Sequence, residues 1–111
     1  MIVGLSQYGY LEVVLKLFSL MNEENIKPDV FTFASVLTVC ANATVMQQGR
    51  QVHALISKSP DFIVDIAVTK ALMTMYSRCG SVKEAERVFS EIKNKNVVSW
   101  TSMISGYDQN G

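Results

Sequence analysis

Neither sign of charge dominates this chain: 10 Lys and Arg residues stand against 10 Asp and Glu in 111, for a formal net charge of zero. A basic arm that coats phosphates by charge alone is thereby excluded, so any contact with nucleic acid must come from individually placed residues. Proline occurs twice and histidine once, and the two cysteines, Cys40 and Cys79, show no C-x-x-C spacing. That argues against a disulfide framework and fits a reducing compartment. The amino-terminal run MIVGLSQYGYLE lacks the basic start and apolar stretch of a secretory signal, and it lacks the arginines of a transit peptide. The stretch 30–49 carries no charge and has the length of a membrane span. Thr32, Ser35, Thr38, Asn42, Thr44, Gln47 and Gln48 make insertion too costly, so no membrane contact is expected. What remains is 49% apolar and 18% charged, enough apolar side chain to bury in one small domain or a piece of a larger one.

The chain repeats itself. MIVGLSQYG lies on MISGYDQNG at an offset of 102 residues, with Met1/Met103, Ile2/Ile104, Gly4/Gly106, Gln7/Gln109 and Gly9/Gly111 identical. Gly9 also lies on Gly80, which aligns GYLEVVLKLFSLM with GSVKEAERVFSEI and matches Phe18 with Phe89 and Ser19 with Ser90. VMQQGRQVHALI fits the same frame, placing Val52 on Leu17. The steps are 35, 36 and 31 residues, so three unequal units averaging 34 complete one cycle.

Each unit reads as two helices. In Asp65 to Arg78, Ala67, Ala71, Leu72, Met75 and Tyr76 recur at helical spacing, and Cys79-Gly80 after a basic last turn ends the helix. Ser81 with Glu84 predicts a capping box at the start of a second helix whose apolar face is Val82, Ala85, Val88, Phe89 and Ile92. Further second helices are predicted over about 10–24 and 45–58, and first helices over 31–41 and 97–108. The run VVSWTSMI is β-branched, but its repeat equivalents are helical, so a helix is expected there too. Pro28 closes the first unit and Pro60-Asp61 loosens the junction after the second. Hairpins of this length cannot bury their apolar faces alone and stack side by side. The expected fold is therefore all-α, a right-handed α–α superhelix forming a single array over 1–111. Its predicted units are a partial repeat over 1–29, full repeats over 30–65 and 66–96, and the first helix of another over 97–111. Tetratricopeptide repeats share the length, but Trp100-Thr101-Ser102-Met103-Ile104 does not fit their W-x2-L-G pattern.

The residues resemble pentatricopeptide repeats, in particular the plant subclass that cycles P, L and S units. VVSWTSMISGYDQNG and GYLEVVLKLFSLMNEENIKPD look like the two halves of a P unit. FTFASVLTVCANATVMQQGRQVHALISKS looks like an L unit, and VTKALMTMYSRCGSVKEAERVFSEI like an S unit. The resemblance covers the whole chain, and its one visible departure is SPDFIVD, with an extra residue and a proline where an L unit usually turns on glycine. It implies a module that binds single-stranded RNA in an organelle, mitochondrion or plastid, as part of an RNA-processing or RNA-editing factor. Each repeat reads about one base with two or three side chains. The family's readers are the fifth and last residues of a unit, with the second residue packing on the base. Carried over, they fall on Thr101 and Val98 in the unit starting at Val97. Lys70, Asn96 and Ala67 serve the unit starting at Ile66; Ala34 and Asp65 serve the one before it, and Asp29 closes the first. Lysine departs from the usual Asn, Thr or Ser, and alanine has no hydrogen-bonding side chain, so no unit holds both readers in their usual form.

The remaining residues invite plainer readings. His53 is expected to pack at a helix contact, because its repeat equivalents are Phe18 and Phe89. Cys40 and Cys79 read as small buried hydrophobes, Trp100 and Tyr76 as core, and Glu12, Glu23, Glu24, Lys83, Glu84 and Glu86 as a solvated convex face. No catalysis is expected. The H-x-E and C-x-x-C motifs of a zinc deaminase are missing, as are a phosphate-cradling glycine loop and a nucleophile–base pair. No cofactor or metal is called for. The rival expectation is a protein-binding scaffold, its groove holding a partner helix or an editing-complex subunit. The ends are further expected to fray or to associate with other copies, since terminal repeats normally need a polar cap.

Overall fold

The structure, a computed structural model, describes residues 7–58 and 65–110. The described residues form helices and no strand: α1 (Gln7–Glu23), α2 (Val30–Ala43), α3 (Met46–Ser57), α4 (Ile66–Arg78), α5 (Val82–Glu91) and α6 (Val97–Asn110). The β-branched start of α6 is helical, as the repeat frame predicts. The residues before Gln7, which the frame assigns to a first helix, and the Pro60-Asp61 junction lie outside the described residues.

The helices make two layers. α2, α4 and α6 lie side by side, with α4 packed on both neighbours. Over them, α1 sits on α2, α3 spans the seam between α2 and α4, and α5 spans the seam between α4 and α6. This stagger makes a solenoid of helical hairpins, in which α3 and α5 each cover the first helix of their own hairpin and the next. The central helix α4 carries the most core, with Val68, Leu72, Met73, Met75 and Tyr76 all buried between the two layers. Phe33, Val36, Leu37 and Cys40 of α2, Val52 and Ile56 of α3, and Ala85 and Val88 of α5 complete one continuous core with Met103 of α6.

The turns repeat one device. The N–H groups of Gly80 and Ser81 reach back to the carbonyls of Ser77 (3.1 Å) and Tyr76 (2.8 Å). Thr44 and Val45 close α2 in the same way on Ala41 and Cys40, and Asn25 and Ile26 close α1 on Asn22 and Met21. In each case one residue takes the left-handed conformation: Gly80 at φ +86, Thr44 at +54 and Asn25 at +59. This overturns the predicted capping box. Ser81 makes no side-chain cap bond, and its own N–H already donates to the Tyr76 carbonyl, so it is not free to donate to the Glu84 carboxylate. Glu84 pairs with Arg87 at 3.5 Å instead and is half-buried. Gly9 also departs from its sequence equivalent Gly80: it lies inside the first turns of α1 rather than in a turn.

The packing expectations hold in part. Cys40 is buried, and that burial, reinforced by the nearby Cys79, pushes its thiol up to about 11, which leaves it unreactive at neutral pH. Cys79 is only half-buried. Tyr76 is 2% exposed, and its hydroxyl lies 2.7 Å from Nδ1 of His53, the rings meeting edge-on at 5.6 Å. His53 therefore does pack at a helix contact, joining α3 to α4. Trp100 does not behave as core. It stands edge-on to Phe89 of α5 at 4.9 Å yet remains 55% exposed, because α5 covers only the side of α6 that faces α4. Ala67, placed on the apolar face by its spacing, is exposed as well.

Candidate nucleic-acid interface

The inner helices start on caps, and the caps are the residues assigned above as last readers. The Asp29 side chain accepts from the Thr32 N–H at 2.9 Å and from its hydroxyl at 3.0 Å, opening α2. Asp65 accepts from the N–H groups of Ala67 (2.8 Å) and Val68 (3.3 Å), opening α4. Asn96 accepts from the Ser99 N–H at 3.0 Å, opening α6, and the Ser99 hydroxyl lies within 3.5 Å of the Asn96 N–H. An oxygen held on free helix N–H groups is oriented without any ligand. For Asp29 the Thr32 backbone bond also pulls the carboxyl below its ordinary range, since donors favour the charged form. In all three residues the capping bonds fall on one oxygen, Oδ1.

One turn in, α4 presents Lys70 and α6 presents Thr101, both exposed, while Ala34 on α2 is half-buried. The second-position residue Val98 is likewise exposed beside Thr101. Ala34, Ala67 and Lys70 come together on a groove of about 300 Å³ between α2 and α4. Thr101 and Val98 lie on the next helix and do not line it.

The structure adds residues that motif matching missed. Thr38 and Asn42 on α2, and Thr74 and Arg78 on α4, line the same groove. Nη1 of Arg78 donates to Oδ1 of Asn42 at 2.7 Å, tying α4 to α2. Thr38 gives its hydroxyl proton to the Ala34 carbonyl at 2.8 Å, within its own helix. A signal for these positions was present. Ala34–Thr38–Asn42, Lys70–Thr74–Arg78 and Thr101–Ser105–Gln109 are equivalent i, i+4, i+8 stripes at steps of 36 and 31 residues. Spacing alone does not say which stripe of a helix faces a groove and which faces the core.

The model of the PPR repeat matches residues 69–97 and 98–111, and that of the pentatricopeptide repeat domain matches residues 1–48. The chain belongs to the pentatricopeptide repeat family. Among curated Arabidopsis thaliana proteins, pentatricopeptide repeat-containing protein At2g13600 is 45% identical over 105 residues, or 95% of this chain and 15% of that protein. Pentatricopeptide repeat-containing protein At4g18520, described as chloroplastic, is 40% identical over 111 residues, all of this chain and 18% of that protein. At5g27110 is 43% identical over 97 residues, covering 87% of this chain and 14% of its own length. The chain thus spans about 15% of the length of the curated relatives it matches, and is a pentatricopeptide repeat module. No described helix is long and apolar enough to cross a membrane.

Proposed function

We propose that this module binds single-stranded RNA along its inner layer, as a non-catalytic part of a plant organelle RNA-processing or RNA-editing factor. The observation that carries the reading is the ladder of equivalent polar positions on three adjacent inner helices, each entered through a capped Asp or Asn. Its unit boundaries are those of the repeat frame, 1–29, 30–65, 66–96 and 97–111, in P, L, S, P order. In that frame each cap is the last residue of one unit and precedes the helix that carries the next unit's fifth-position side chain. Thr101 is a hydroxyl that both donates and accepts, suited to the Watson–Crick edge of an unstacked base. Asp29, Asp65 and Asn96 supply the second group, already fixed by capping. Val98 offers apolar surface to the face of the base. One such contact contributes about 1 kcal/mol net, so a few units give weak affinity. The chloroplast description of At4g18520 supports a plastid or mitochondrial setting. Titration of labelled short RNAs tests the reading. Binding should be salt-dependent, and Thr101→Ala should lower affinity for some sequences and not others. Binding indifferent to both salt and Thr101→Ala would point to the scaffold reading.

A second reading has its own observation. Val97, Trp100, Ile104 and Tyr107 make an exposed apolar stripe on α6, and Tyr10, Val13, Leu17 and Leu20 make one with the same spacing on α1. Their repeat equivalents inside the array are better covered: Thr69, Met73 and Tyr76 are buried where Trp100, Ile104 and Tyr107 are exposed, as is Val88 where Leu17 is exposed. These stripes favour docking of apolar helical surface at the ends, either a partner protein of an editing complex or a second copy joined end to end.

A further inference from the structure

The two ends of the helical array are open in matching ways. Both α5 and α6 pack on α4, and Met73 of α4 is 1% exposed. Ile104 holds the equivalent position on α6, which no described helix follows, and is 66% exposed. In the outer layer Leu17 of α1 is 58% exposed, while its equivalents Val52 of α3 and Val88 of α5 are buried. Val97, Trp100 and Ile104 at one end, and Val13, Leu17 and Leu20 at the other, are exposed and uncharged, so neither stripe would bury an unpaired charge in a joint. Phe31 of α2 extends the second stripe: its equivalent Ala67 lines the groove between α2 and α4, whereas Phe31 is exposed. The repeat indicates the occupant. Residues 103–111 share five of nine identities with residues 1–9, the segment that leads into α1. The α6 helix of one copy therefore offers α1 of another the side chains that the repeat frame sets before it, a match that an unrelated helix does not carry. Solenoid contacts run between neighbours only, so a joint of this kind repeats contacts that the array already makes.

The polar positions complete one another across the same joint. Within the array, a fifth-position side chain and the last residue of its unit stand on neighbouring inner helices. Lys70 lies on α4 and Asn96 opens α6; Ala34 lies on α2 and Asp65 opens α4. Thr101 on α6 has no described inner helix after it, and Asp29, which opens α2, has none before it.

We propose that α6 of one copy docks head to tail against α1 and α2 of a second, and that the joint builds one repeat unit from two chains, with Thr101 of the first and Asp29 of the second facing the same RNA base. The joint stands on the exposed stripes, and its use in reading a base rests on the RNA-binding reading above. Thr101 both donates and accepts, whereas the Asp29 carboxylate only accepts and is held on the Thr32 N–H at 2.9 Å. Two short polar side chains thus meet at one step, which neither Ala34 with Asp65 nor Lys70 with Asn96 provides. A head-to-tail joint is heterologous and leaves one end of each kind free, so association continues past the dimer.

Sedimentation equilibrium of the full 111-residue chain over a concentration series tests the joint, with circular dichroism verifying that each variant stays helical. The wild-type mass should rise past that of a dimer. Ile104→Lys and Leu17→Lys chains should each stay monomeric alone. Their equal mixture should form a dimer and nothing larger, because only one pair of intact ends remains. A wild-type chain or a mixture that stays monomeric, or Leu17→Lys chains that pair with one another, overturns the joint. Fluorescein-labelled RNAs differing at one base, titrated where the wild-type chain is associated, test the shared unit. Thr101→Ala and Asp29→Ser, a change that keeps a helix cap, should each abolish base preference at the same position. Their equal mixture should restore it at about a quarter of joints, those that bring an intact Thr101 to an intact Asp29. A mixture with no more preference than either variant alone overturns the shared unit and leaves the joint standing. Absence of RNA binding by the associated wild-type chain overturns the RNA-binding reading and the shared unit with it, while the joint is decided by sedimentation alone.

Discussion

Gly106 of α6 packs directly against Ser77 of α4, and replacing it by alanine tests how the two helices are joined. A Cβ at this position would lie 2.5 Å from Oγ of Ser77 and 3.4 Å from its Cβ. Ser77 is buried at 3% exposure, and its hydroxyl has no hydrogen-bond partner among the described residues. The seam is further pinned by Asn110, whose Nδ2 donates to the Ser77 carbonyl at 2.8 Å and to the Gly106 carbonyl at 3.0 Å. With Ser77 in place, the new methyl group must rotate the hydroxyl away or part the helices, and overpacking of this kind costs about 1–3 kcal/mol. Alanine in a helix interior returns roughly 1 kcal/mol over glycine. The net expectation for Gly106→Ala is a loss of about 1 kcal/mol, seen as a fall in Tm of roughly 4–8 °C. In a Ser77→Ala background the nearest remaining atom is the 3.4 Å Cβ, and the same change should become neutral or stabilising. Ser77→Ala alone should be close to neutral, since it removes an unpaired buried hydroxyl. Urea unfolding of the four proteins by circular dichroism gives the coupling, expected at about 1–2 kcal/mol. Additive effects, with coupling under about 0.5 kcal/mol, would falsify the close-contact account.

Three further outcomes are expected. Gly80→Ala should destabilise by about 1–2 kcal/mol through φ strain alone, since a Cβ there meets no atom within 4 Å; a stability equal to wild type in urea titration would refute it. Burial holds the His53 pKa below its ordinary value, against smaller upward pulls from Glu91 and Glu84. A histidine depressed on folding stabilises fully above its unfolded pKa and loses that stability as pH falls through the folded value. The urea midpoint should therefore drop on acidification below about 6.5, and His53→Phe should flatten this part of the profile; an identical profile in the variant contradicts it. Finally, Trp100→Gln with Ile104→Gln should abolish any concentration-dependent association detected by light scattering, and undiminished association would remove the α6 stripe from the docking account.

Much of the fold was legible because the information is local and repeated. The apolar face of α5 follows from the 3.6-residue period of Val82, Ala85, Val88, Phe89 and Ile92, and Ala85 and Val88 are indeed buried. The stop at Gly80 follows from glycine's tolerance of positive φ. The same local reasoning failed at Ser81, where the motif was present but a turn bond from the preceding helix had taken the N–H it required. Asn25 is of a type that tolerates the left-handed conformation, but nothing around Thr44 announces it, yet both adopt it to close their helices.

What the sequence determined by itself was the described helices and their order, since periodicity and turn residues act within a few residues of one another. What only the tertiary structure decided was which side of each helix meets what. The stagger of the outer layer buries Tyr76 and leaves its repeat equivalent Tyr107 exposed, and it sets Lys70 and Arg78 across a shared groove from Ala34 and Asn42. Those outcomes depend on residues 36 apart meeting through packed cores, and no local pattern of side chains specifies that meeting.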